Sequence, residues 1–272
     1  MQREILEWYA QNRRDLPWRK TCDVYRVLVS EMMLQQTQVG RVLPKYGDFL
    51  QKFPTAKALA GASPADVIVA WSGLGYNRRA LFLQRAAQVL AREIPSDLRE
   101  LPGVGEYTAR AVECFAFGRD VAVVDTNVRR IFSRVFFSGK GTVEKIDEKV
   151  RAAVPEGRGV DWNNALMDFG SLVCTAKSPK CGICPLKSQC LALRKGTQDA
   201  YLRVAPRQKP FVGSRRFYRG RILRLAEEPR TVSVIAKSIK KSPAWTEMLV
   251  KELAKEGLVK LSGDIVSLPT SL

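Results

Sequence analysis

The chain has 272 residues, of which 46% are apolar, and a formal net charge of +18. These values predict a folded protein of two domains, not a disordered one, and the spread of basic residues along the chain indicates a polyanionic partner such as nucleic acid. The sequence has no histidine, which excludes Ser-His and Cys-His catalysis and histidine-ligated metals, and leaves acid–base chemistry to carboxylates, Lys, Tyr or Cys.

The amino-terminal segment, MQREILEWYAQNRRDLPW, is amphipathic and contains acidic residues, so it lacks the apolar core of a signal peptide. No run of about 18 apolar residues occurs that would predict a membrane span. We therefore expect a cytoplasmic, reducing location, where clustered cysteines bind metals more often than they form disulfides.

Residues 1–195 are predicted to form one all-α domain of many short helices. Apolar residues recur there at intervals of three and four, and short breaks rich in Gly, Pro, Ser and Asp separate the segments. The segments are DVYRVLVSEMMLQQTQVGRVLPKYGDFLQKF, ADVIVAWSG, NRRALFLQRAAQVLARE, YTARAVECFAFG and NVRRIFSRVFF.

The composition changes after residue 195. Residues 196–215 contain Pro, Gly and basic residues with little periodicity, which predicts a linker. Residues 216–272 contain three helical segments and then two short strands around Ser-Gly-Asp. Three helices followed by a hairpin predict a small winged-helix-like domain.

The segment LPGVG, Leu101–Gly105, precedes a helix that is predicted to open near Tyr107. Its two glycines allow a tight turn whose backbone amides are open to a phosphate, and the dipole of the next helix also attracts an anion. The pattern is typical of a helix-hairpin-helix motif that contacts the DNA backbone. An ordinary turn between helices is the alternative.

Two carboxylates are candidates for chemistry. Asp125 follows the apolar run VAVV and is predicted to cap the next helix, whose amides and dipole would lower its pKa and keep it ionised. Glu31 lies inside the apolar helix VLVSEMMLQQT, where burial would raise its pKa and suit it to act as an acid. The alternative for each is structural: Asp125 as a cap alone, Glu31 as the partner of a buried arginine.

Four of the six cysteines lie in CTAKSPKCGICPLKSQC, residues 174–190, with the spacing C-x6-C-x2-C-x5-C. Four thiolates in one loop suit an iron–sulfur cluster, although the spacing alone leaves an all-cysteine zinc site open. Cys22 and Cys114 lie in apolar helical contexts and are predicted to be inert core residues.

Seven motifs, in one unbroken order over residues 1–193, carry a resemblance to a known family. The sequence resembles the MutY-type adenine DNA glycosylases, a branch of the helix-hairpin-helix base-excision superfamily that includes endonuclease III. The cysteine spacing and the pairing of LPGVG with VVD are specific to the superfamily, and SEMMLQQTQV to the adenine branch and its mismatch-glycosylase cousins. The motifs are LPWR (16–19), SEMMLQQTQV (30–39), GLGY (73–76), LPGVGEYTA (101–109), VVDTNVRR (123–130), LMDFG (166–170) and the four-cysteine run.

The resemblance implies a cofactor and a partner. Cys174, Cys181, Cys184 and Cys190 would hold a structural [4Fe–4S] cluster that shapes a basic loop. The protein would be a monomer that acts on double-stranded DNA containing a mispair, associated with the nucleoid through that DNA and with no membrane partner.

The resemblance also implies a mechanism in which the target base is flipped out of the duplex. Glu31 would protonate N7 of adenine. Asp125 would stabilise the oxocarbenium ion that develops on the deoxyribose, electrostatically or through a transient covalent bond, and water would complete the hydrolysis. Tyr107 stands where bifunctional relatives carry a lysine nucleophile. Because no Schiff base can form there, we expect a monofunctional enzyme that leaves an abasic site.

Further positions match family residues that contact the substrate. Core packing remains the alternative for Trp18 and Leu34. The adenine pocket would be lined by Trp18, Arg19, Leu34, Tyr107 and Asp168; Gln35 and Gln36 would wedge into the base stack; Tyr76 and Asn77 would also bind the substrate; and the backbone contact would come from Leu101, Gly103, Val104 and Gly105.

Two departures from the family pattern bear on specificity. Asn77 follows GLGY where adenine glycosylases usually have a second tyrosine, and the tail is too short for the Nudix-like domain that recognises 8-oxoguanine in most of the family. Recognition of 8-oxoguanine is therefore left open. The alternative functions are excision of thymine or uracil from T·G or U·G mispairs and, in a different class, non-catalytic DNA binding.

Overall fold

The computed structural model describes residues 1–200 and 210–270, and these form two compact, mainly helical units. Three short 3-10 helices, Pro17–Arg19, Leu98–Glu100 and Cys181–Ile183, connect some of the α-helices. The α-helices are α1 (Gln2–Asn12), α2 (Val24–Leu34), α3 (Val39–Lys52), α4 (Ala56–Ala60), α5 (Pro64–Ala70), α6 (Arg78–Leu90), α7 (Glu106–Phe115), α8 (Thr126–Phe137), α9 (Val143–Arg151), α10 (Gly159–Leu172), α11 (Leu191–Arg194), α12 (Arg215–Leu225), α13 (Val232–Ile239) and α14 (Pro243–Lys255).

The first unit contains the described residues of 1–24 and 106–207. Its core forms where the apolar face of α8 packs against α10, because both helices repeat large apolar residues at intervals of three and four. Phe132 of α8 and Trp162 of α10 are fully buried there, and Trp8 of α1 meets Phe169 edge to face at 5.4 Å. The cysteine-rich loop follows directly after α10.

The second unit contains the described residues of 25–105 and 208–272. Its carboxy-terminal part has the order α12, β1 (Arg230–Thr231), α13, α14, β2 (Lys260–Ser262) and β3 (Ile265–Ser267), and the strands form an antiparallel sheet in the order β1-β3-β2. The three predicted helices and the predicted hairpin are confirmed. The additional strand β1 was not predicted, because two residues are too few to show an alternating pattern.

The carboxy-terminal helices share an apolar cluster with the rest of the second unit. Ile222 and Leu223 of α12, together with α13 and α14, belong to the same buried cluster as Ile68 of α5 and Leu81 of α6. A backbone hydrogen bond from the Ala65 amide to the Pro269 carbonyl, at 3.0 Å, adds to this attachment. The winged-helix-like segment is thus packed into the second unit.

The domain boundaries at residues 195 and 216 stay a prediction, since residues 201–209 of the predicted 196–215 linker lie outside the described residues. Within the described chain, no helix has both the length and the hydropathy needed to cross a membrane.

Candidate functional site

Asp125 caps α8, as the sequence predicts. One carboxylate oxygen accepts a hydrogen bond from the Val128 amide at 2.7 Å, and the other accepts one from the Asn127 side chain at 2.7 Å. Both oxygens are therefore held in a fixed orientation at the start of the helix.

The predicted lowering of the Asp125 pKa is wrong. Burial of the carboxyl raises its pKa above the ordinary aspartate value and outweighs the hydrogen bonds from Val128 and Asn127 and the positive charge of Arg130. Part of the residue's surface is exposed, yet protein atoms surround the carboxyl closely enough that loss of hydration dominates.

A chain of hydrogen bonds joins Asp125 to the cysteine-rich loop. Arg130 donates to the Asn127 side-chain oxygen at 2.7 Å, to the Gly170 carbonyl at 2.7 Å and to the Cys174 carbonyl at 2.8 Å. A Cβ at Gly170 would lie 2.6 Å from that of Asn127, so this glycine lets α10 approach α8. Sequence reasoning missed Asn127 and Arg130, although both stand in the motif VVDTNVRR.

The four predicted cluster cysteines lie in one half-buried region of the first unit. Arg134 of α8 donates to the Cys174 sulfur at 3.4 Å and to the Thr175 carbonyl at 2.7 Å, which fixes the start of the loop. Cys174, Cys184 and Cys190 also pack against the unit's apolar core. Helix α8 thus organises both Asp125 and the loop.

The chemistry of the four sulfurs fits a bound iron–sulfur cluster. Burial raises the pKa of the Cys184 thiol to about 11, and burial also raises that of Cys181, with the neighbouring sulfurs adding to both shifts. Thiolates so close together need a compensating cation, which cluster irons supply when bound. Within residues 1–200 and 210–270, no three Cys, Asp or Glu side chains converge tightly enough to hold a metal ion. The match between these four cysteines and an iron–sulfur cluster therefore rests on the chemistry of their sulfurs and not on their geometry.

Asp168 lies at the centre of a buried ion-pair cluster. It is fully buried, and its oxygens accept hydrogen bonds from the Arg14 side chain at 2.6 Å and from Arg19 at 2.8 and 2.9 Å. Burial raises the pKa of Asp168, but the hydrogen bonds and charges of both arginines hold it below the ordinary value. Trp18, in the adjacent 3-10 helix, is also buried. Arg14 was missed from the sequence.

Tyr107 occupies the first turn of α7 and is half-buried. It packs against a small cluster formed by Ala111, Cys114 and Val123. Cys114 is buried, as predicted, whereas the prediction of a core position for Cys22 is wrong. Cys22 is exposed, because it lies in the turn between the 3-10 helix Pro17–Arg19 and α2 and not within a helix.

Glu31 lies inside α2 of the second unit and is 5% exposed. Leu28 and Met32, on the same helix, are fully buried beside it. Leu34, at the end of the helix, is half-buried. A carboxyl in such a position is costly to maintain for stability alone, which makes it a candidate for chemistry.

Arg79 holds together the two turns that carry Gln35, Gln36 and Tyr76. Its buried guanidinium donates to the carbonyls of Met32, Gln35 and Gly75, among others, and burial lowers its pKa to about 10. Sequence reasoning did not single out Arg79; an arginine inside an otherwise apolar helical face was the available signal.

Strained backbone occurs at one predicted wedge position, Gln36, and at one other predicted substrate-binding residue, Tyr76. Gln36 has φ +54° and Tyr76 has φ +48°, and both values lie in the left-handed region that residues other than glycine rarely adopt. Gln36 is exposed and Tyr76 half-buried, and Asn77 follows at the start of α6. Backbone strain of this kind accumulates at functional sites.

The LPGVG segment forms a turn with its apolar residues inside and its glycines outside. Leu101 and Val104 are buried, while Gly103 and Gly105 are exposed. Gly103 has φ +80°, and a Cβ there would lie 2.7 Å from Phe82, so glycine is required for both reasons. The backbone contact to DNA stays a prediction.

Known proteins match the chain over nearly all its length. Residues 29–156 match the HhH-GPD superfamily of base excision DNA repair proteins. The adenine DNA glycosylase of Mycolicibacterium smegmatis is 40% identical over 275 residues, which cover 96% of this chain and 93% of that protein. The chain belongs to the adenine DNA glycosylase family. The human adenine DNA glycosylase is 38% identical over 73% of this chain and 40% of its own length.

Solved structures of the superfamily share the fold of this glycosylase. A thermostable thymine-DNA glycosylase has 32% identity and a TM-score of 0.66, covering 71% of this chain and 94% of that one. Endonuclease III bound to DNA has 22% identity and a TM-score of 0.62, covering 72% and 94%.

The cysteine-rich loop of the glycosylase has its own match. Residues 174–190 match the iron–sulfur binding domain of endonuclease III. The cofactor is a [4Fe–4S] cluster. The open choice between iron and zinc, which spacing alone left, is thereby decided for iron.

Proposed function

We propose that the enzyme hydrolyses the bond between adenine and deoxyribose in mispaired duplex DNA and leaves an abasic site. The observation that carries the proposal is Glu31, a carboxyl that is 5% exposed within an apolar helix and stands at the family's catalytic-acid position. Identity of 40% to an adenine DNA glycosylase over 96% of the chain supports the choice of base.

The two carboxylates have different tasks. Glu31 gives a proton to N7 of the flipped adenine, which would otherwise leave as an unstable anion. Asp125 in its ionised form stabilises the positive charge that develops on the sugar, and its hydrogen bonds from Val128 and Asn127 hold the carboxylate in position.

The remaining site residues bind and orient the DNA. Trp18 and Arg19, the latter fixed by Asp168, contribute to the adenine pocket with Leu34. Tyr107 offers no amine, so hydrolysis proceeds without a Schiff base. Gln35 and Gln36 enter the base stack beside Tyr76 and Asn77, and the turn at Leu101, Gly103, Val104 and Gly105 meets a phosphate.

A second candidate is excision of thymine or uracil opposite guanine. It is supported by Asn77, which stands in place of the family's second tyrosine, and by 32% identity to a thymine-DNA glycosylase. The greater identity to an adenine DNA glycosylase, 40% over 96% of the chain, favours adenine.

Single-turnover excision by two variants tests the assignment. Glu31→Gln removes the proton donor and keeps the shape, and Asp125→Asn removes the stabilising charge, so each is expected to abolish excision while duplex binding survives. Glu93→Gln, at an exposed position of the second unit, is the control and should match the parent enzyme. Near-parental rates in Glu31→Gln or Asp125→Asn would refute the assignment.

Borohydride trapping tests the monofunctional chemistry. No covalent enzyme–DNA adduct is expected under conditions that trap a lysine lyase well, because a Schiff base needs an amine. Efficient trapping would show that a lysine or the amino terminus acts as nucleophile.

A further inference from the structure

The second unit contains a groove of about 1240 Å³ with a basic lining, and we name it the α12 groove. One wall is helix α12, and the other walls are the turn at residues 35–38, the start of α3, and the turn at 72–77. Seven arginines line it against two glutamates, which suits an extended polyanion better than a small ligand. The arginines are Arg41, Arg78, Arg79, Arg216, Arg219, Arg221 and Arg224.

Some of these arginines form ion pairs or hydrogen bonds within the protein, and others do not. Glu256 pairs with Arg219 and Arg78, and Arg221 donates to the Ser238 carbonyl at 2.8 Å. By contrast, Arg41 and Arg224 make no ion pair or side-chain hydrogen bond with any residue of 1–200 or 210–270. Both are exposed, so their charges are available to an anion in the groove.

Arg224 is not needed to attach α12 to the unit. Ile222 and Leu223, on the buried side of the same helix, already pack in the cluster that contains Ile68 and Leu81. The charges of Arg41 and Arg224 therefore add electrostatic repulsion within the groove without a matching gain in packing, as expected for a binding surface.

Gly220, in the middle of α12, also lines the groove. It is exposed, its φ lies outside the left-handed region, and a Cβ built on it would meet nothing within 4 Å. Glycine weakens a helix, and neither the backbone conformation nor the packing of α12 requires a glycine at position 220. A glycine here leaves room for a ligand to approach the helix backbone.

The groove continues onto the strained turn that carries Tyr76. Arg216 donates to the Tyr76 hydroxyl at 2.8 Å, and the guanidinium groups of Arg216 and Arg79 each lie 5.5 Å from the centre of the tyrosine ring. The carboxy-terminal segment thus reaches the residues assigned above to the base stack.

We propose that the α12 groove binds the phosphate backbone of duplex DNA, with Arg41 and Arg224 as phosphate contacts and Gly220 as the point of closest approach. The proposal rests on the proposed function only in taking DNA as the ligand. It makes the carboxy-terminal segment part of the DNA-binding surface beside Gln35, Gln36 and Tyr76.

Equilibrium binding of the cluster-loaded full chain to an undamaged labelled duplex, measured over a range of salt concentrations, tests the proposal. Arg41→Ala and Arg224→Ala should each lower the slope of log affinity against log salt by about 0.9, the value for one phosphate contact. Arg215→Ala is the matched control, because Arg215 is on the same helix, pairs with Glu252 and does not line the groove.

Gly220→Ala gives an independent readout. Alanine favours a helix, so the thermal unfolding midpoint should stay or rise, while a methyl group in the groove should weaken duplex binding several-fold. The proposal would be overturned if Arg41→Ala and Arg224→Ala both kept the parental salt slope, which is the result expected of a tail that docks a protein. It would also be overturned if Arg215→Ala lowered the salt slope equally, or if Gly220→Ala left duplex binding unchanged.

Adenine excision at saturating enzyme separates this proposal from the proposed function. The control variant Arg215→Ala should excise at the parental rate, because it retains Glu31, Asp125 and every residue that lines the groove. If the parent enzyme binds duplex through the groove but excises no adenine, the proposed function fails and the groove assignment stands.

Discussion

The Asp125 carboxyl experiences opposing influences on its pKa. Burial favours the neutral acid, whereas the hydrogen bonds from the Val128 amide and the Asn127 side chain favour the anion. The balance is a pKa above the ordinary aspartate value, although the proposed role needs the anion. The hydrogen bonds therefore determine how far into acidic solution the enzyme works.

Asn127→Ala should shift the acid limb of the pH–rate profile to higher pH. The substitution removes one interaction that lowers the Asp125 pKa, so that pKa rises further and the carboxylate is protonated sooner as pH falls. Single-turnover rates across acidic pH measure the limb. Asn12→Ala, at an exposed asparagine that bonds only locally, should leave the limb in place. A limb unmoved by Asn127→Ala would contradict the role given to Asp125.

The properties of Asp125 that the sequence predicted correctly are those that depend on residues nearby in the chain. Capping is local, and the sequence predicted it correctly from an aspartate at the end of an apolar run. Burial depends on distant segments, such as α10, where Gly170 admits close packing against Asn127. The direction of the pKa shift therefore could not be inferred from neighbours along the chain.

At the scale of elements, the LPGVG turn combines two glycines with different constraints. Gly103 needs its left-handed backbone and the space beside Phe82 and Met32, while Gly105 has no atom within 4 Å of an added Cβ. Gly103 is therefore required for the folded structure, whereas Gly105 leaves space that a ligand can occupy.

Gly103→Ala should destabilise the protein by about 2–4 kcal/mol, because left-handed strain and overpacking add. Gly105→Ala should leave the unfolding midpoint near the parental value and weaken duplex binding, since its methyl group points to open space where a phosphate is proposed. Thermal unfolding and duplex titration of this matched pair measure both effects. Equal stabilities, or unchanged duplex binding by Gly105→Ala, would contradict the account of the turn.

The cysteine-rich loop is the element that the sequence predicted best. Four thiols at fixed spacing within 17 residues are a local pattern, and the sequence alone identified them. The arginines of α8 that hold the loop were missed, because a helical sequence does not show which distant carbonyls its side chains reach. The core position predicted for Cys22 was wrong because the apolar residues that follow it belong to the next helix, α2, and Cys22 itself does not.

Protein purified without oxygen should be brown, with broad visible absorbance and about four irons per chain. Cys184→Ser should lower the iron content sharply, because we propose its thiolate as a cluster ligand. Cys22→Ser, at an exposed cysteine outside the loop, should retain the parental iron content. Stoichiometric zinc without iron in the parent protein would contradict the cofactor assignment.

At the scale of the whole molecule, the carboxy-terminal segment contributes to the core of the second unit. The sequence predicted its helices and hairpin from periodicity, but not that Ile222 and Leu223 share a cluster with Ile68 and Leu81. Contacts between segments more than 100 residues apart leave no periodic signal.

Truncation near residue 200 should therefore destabilise the enzyme and not simply remove a DNA contact. Exposure of Ile68 and Leu81 would cost roughly 1.5–3 kcal/mol for each side chain. Thermal unfolding of the truncated chain should show a lower midpoint. An unchanged midpoint would show that the segment is an independent domain. Point variants in the α12 groove are accordingly the better probe of its binding role.

Single-turnover excision by the parent enzyme on four duplexes tests most directly whether the enzyme excises mispaired adenine. These pair A with 8-oxoguanine, A with G, T with G, and U with G. We predict excision of adenine from both of the first two duplexes and little or none of thymine or uracil. Efficient excision of thymine or uracil with adenine left intact would contradict the account and establish the second candidate.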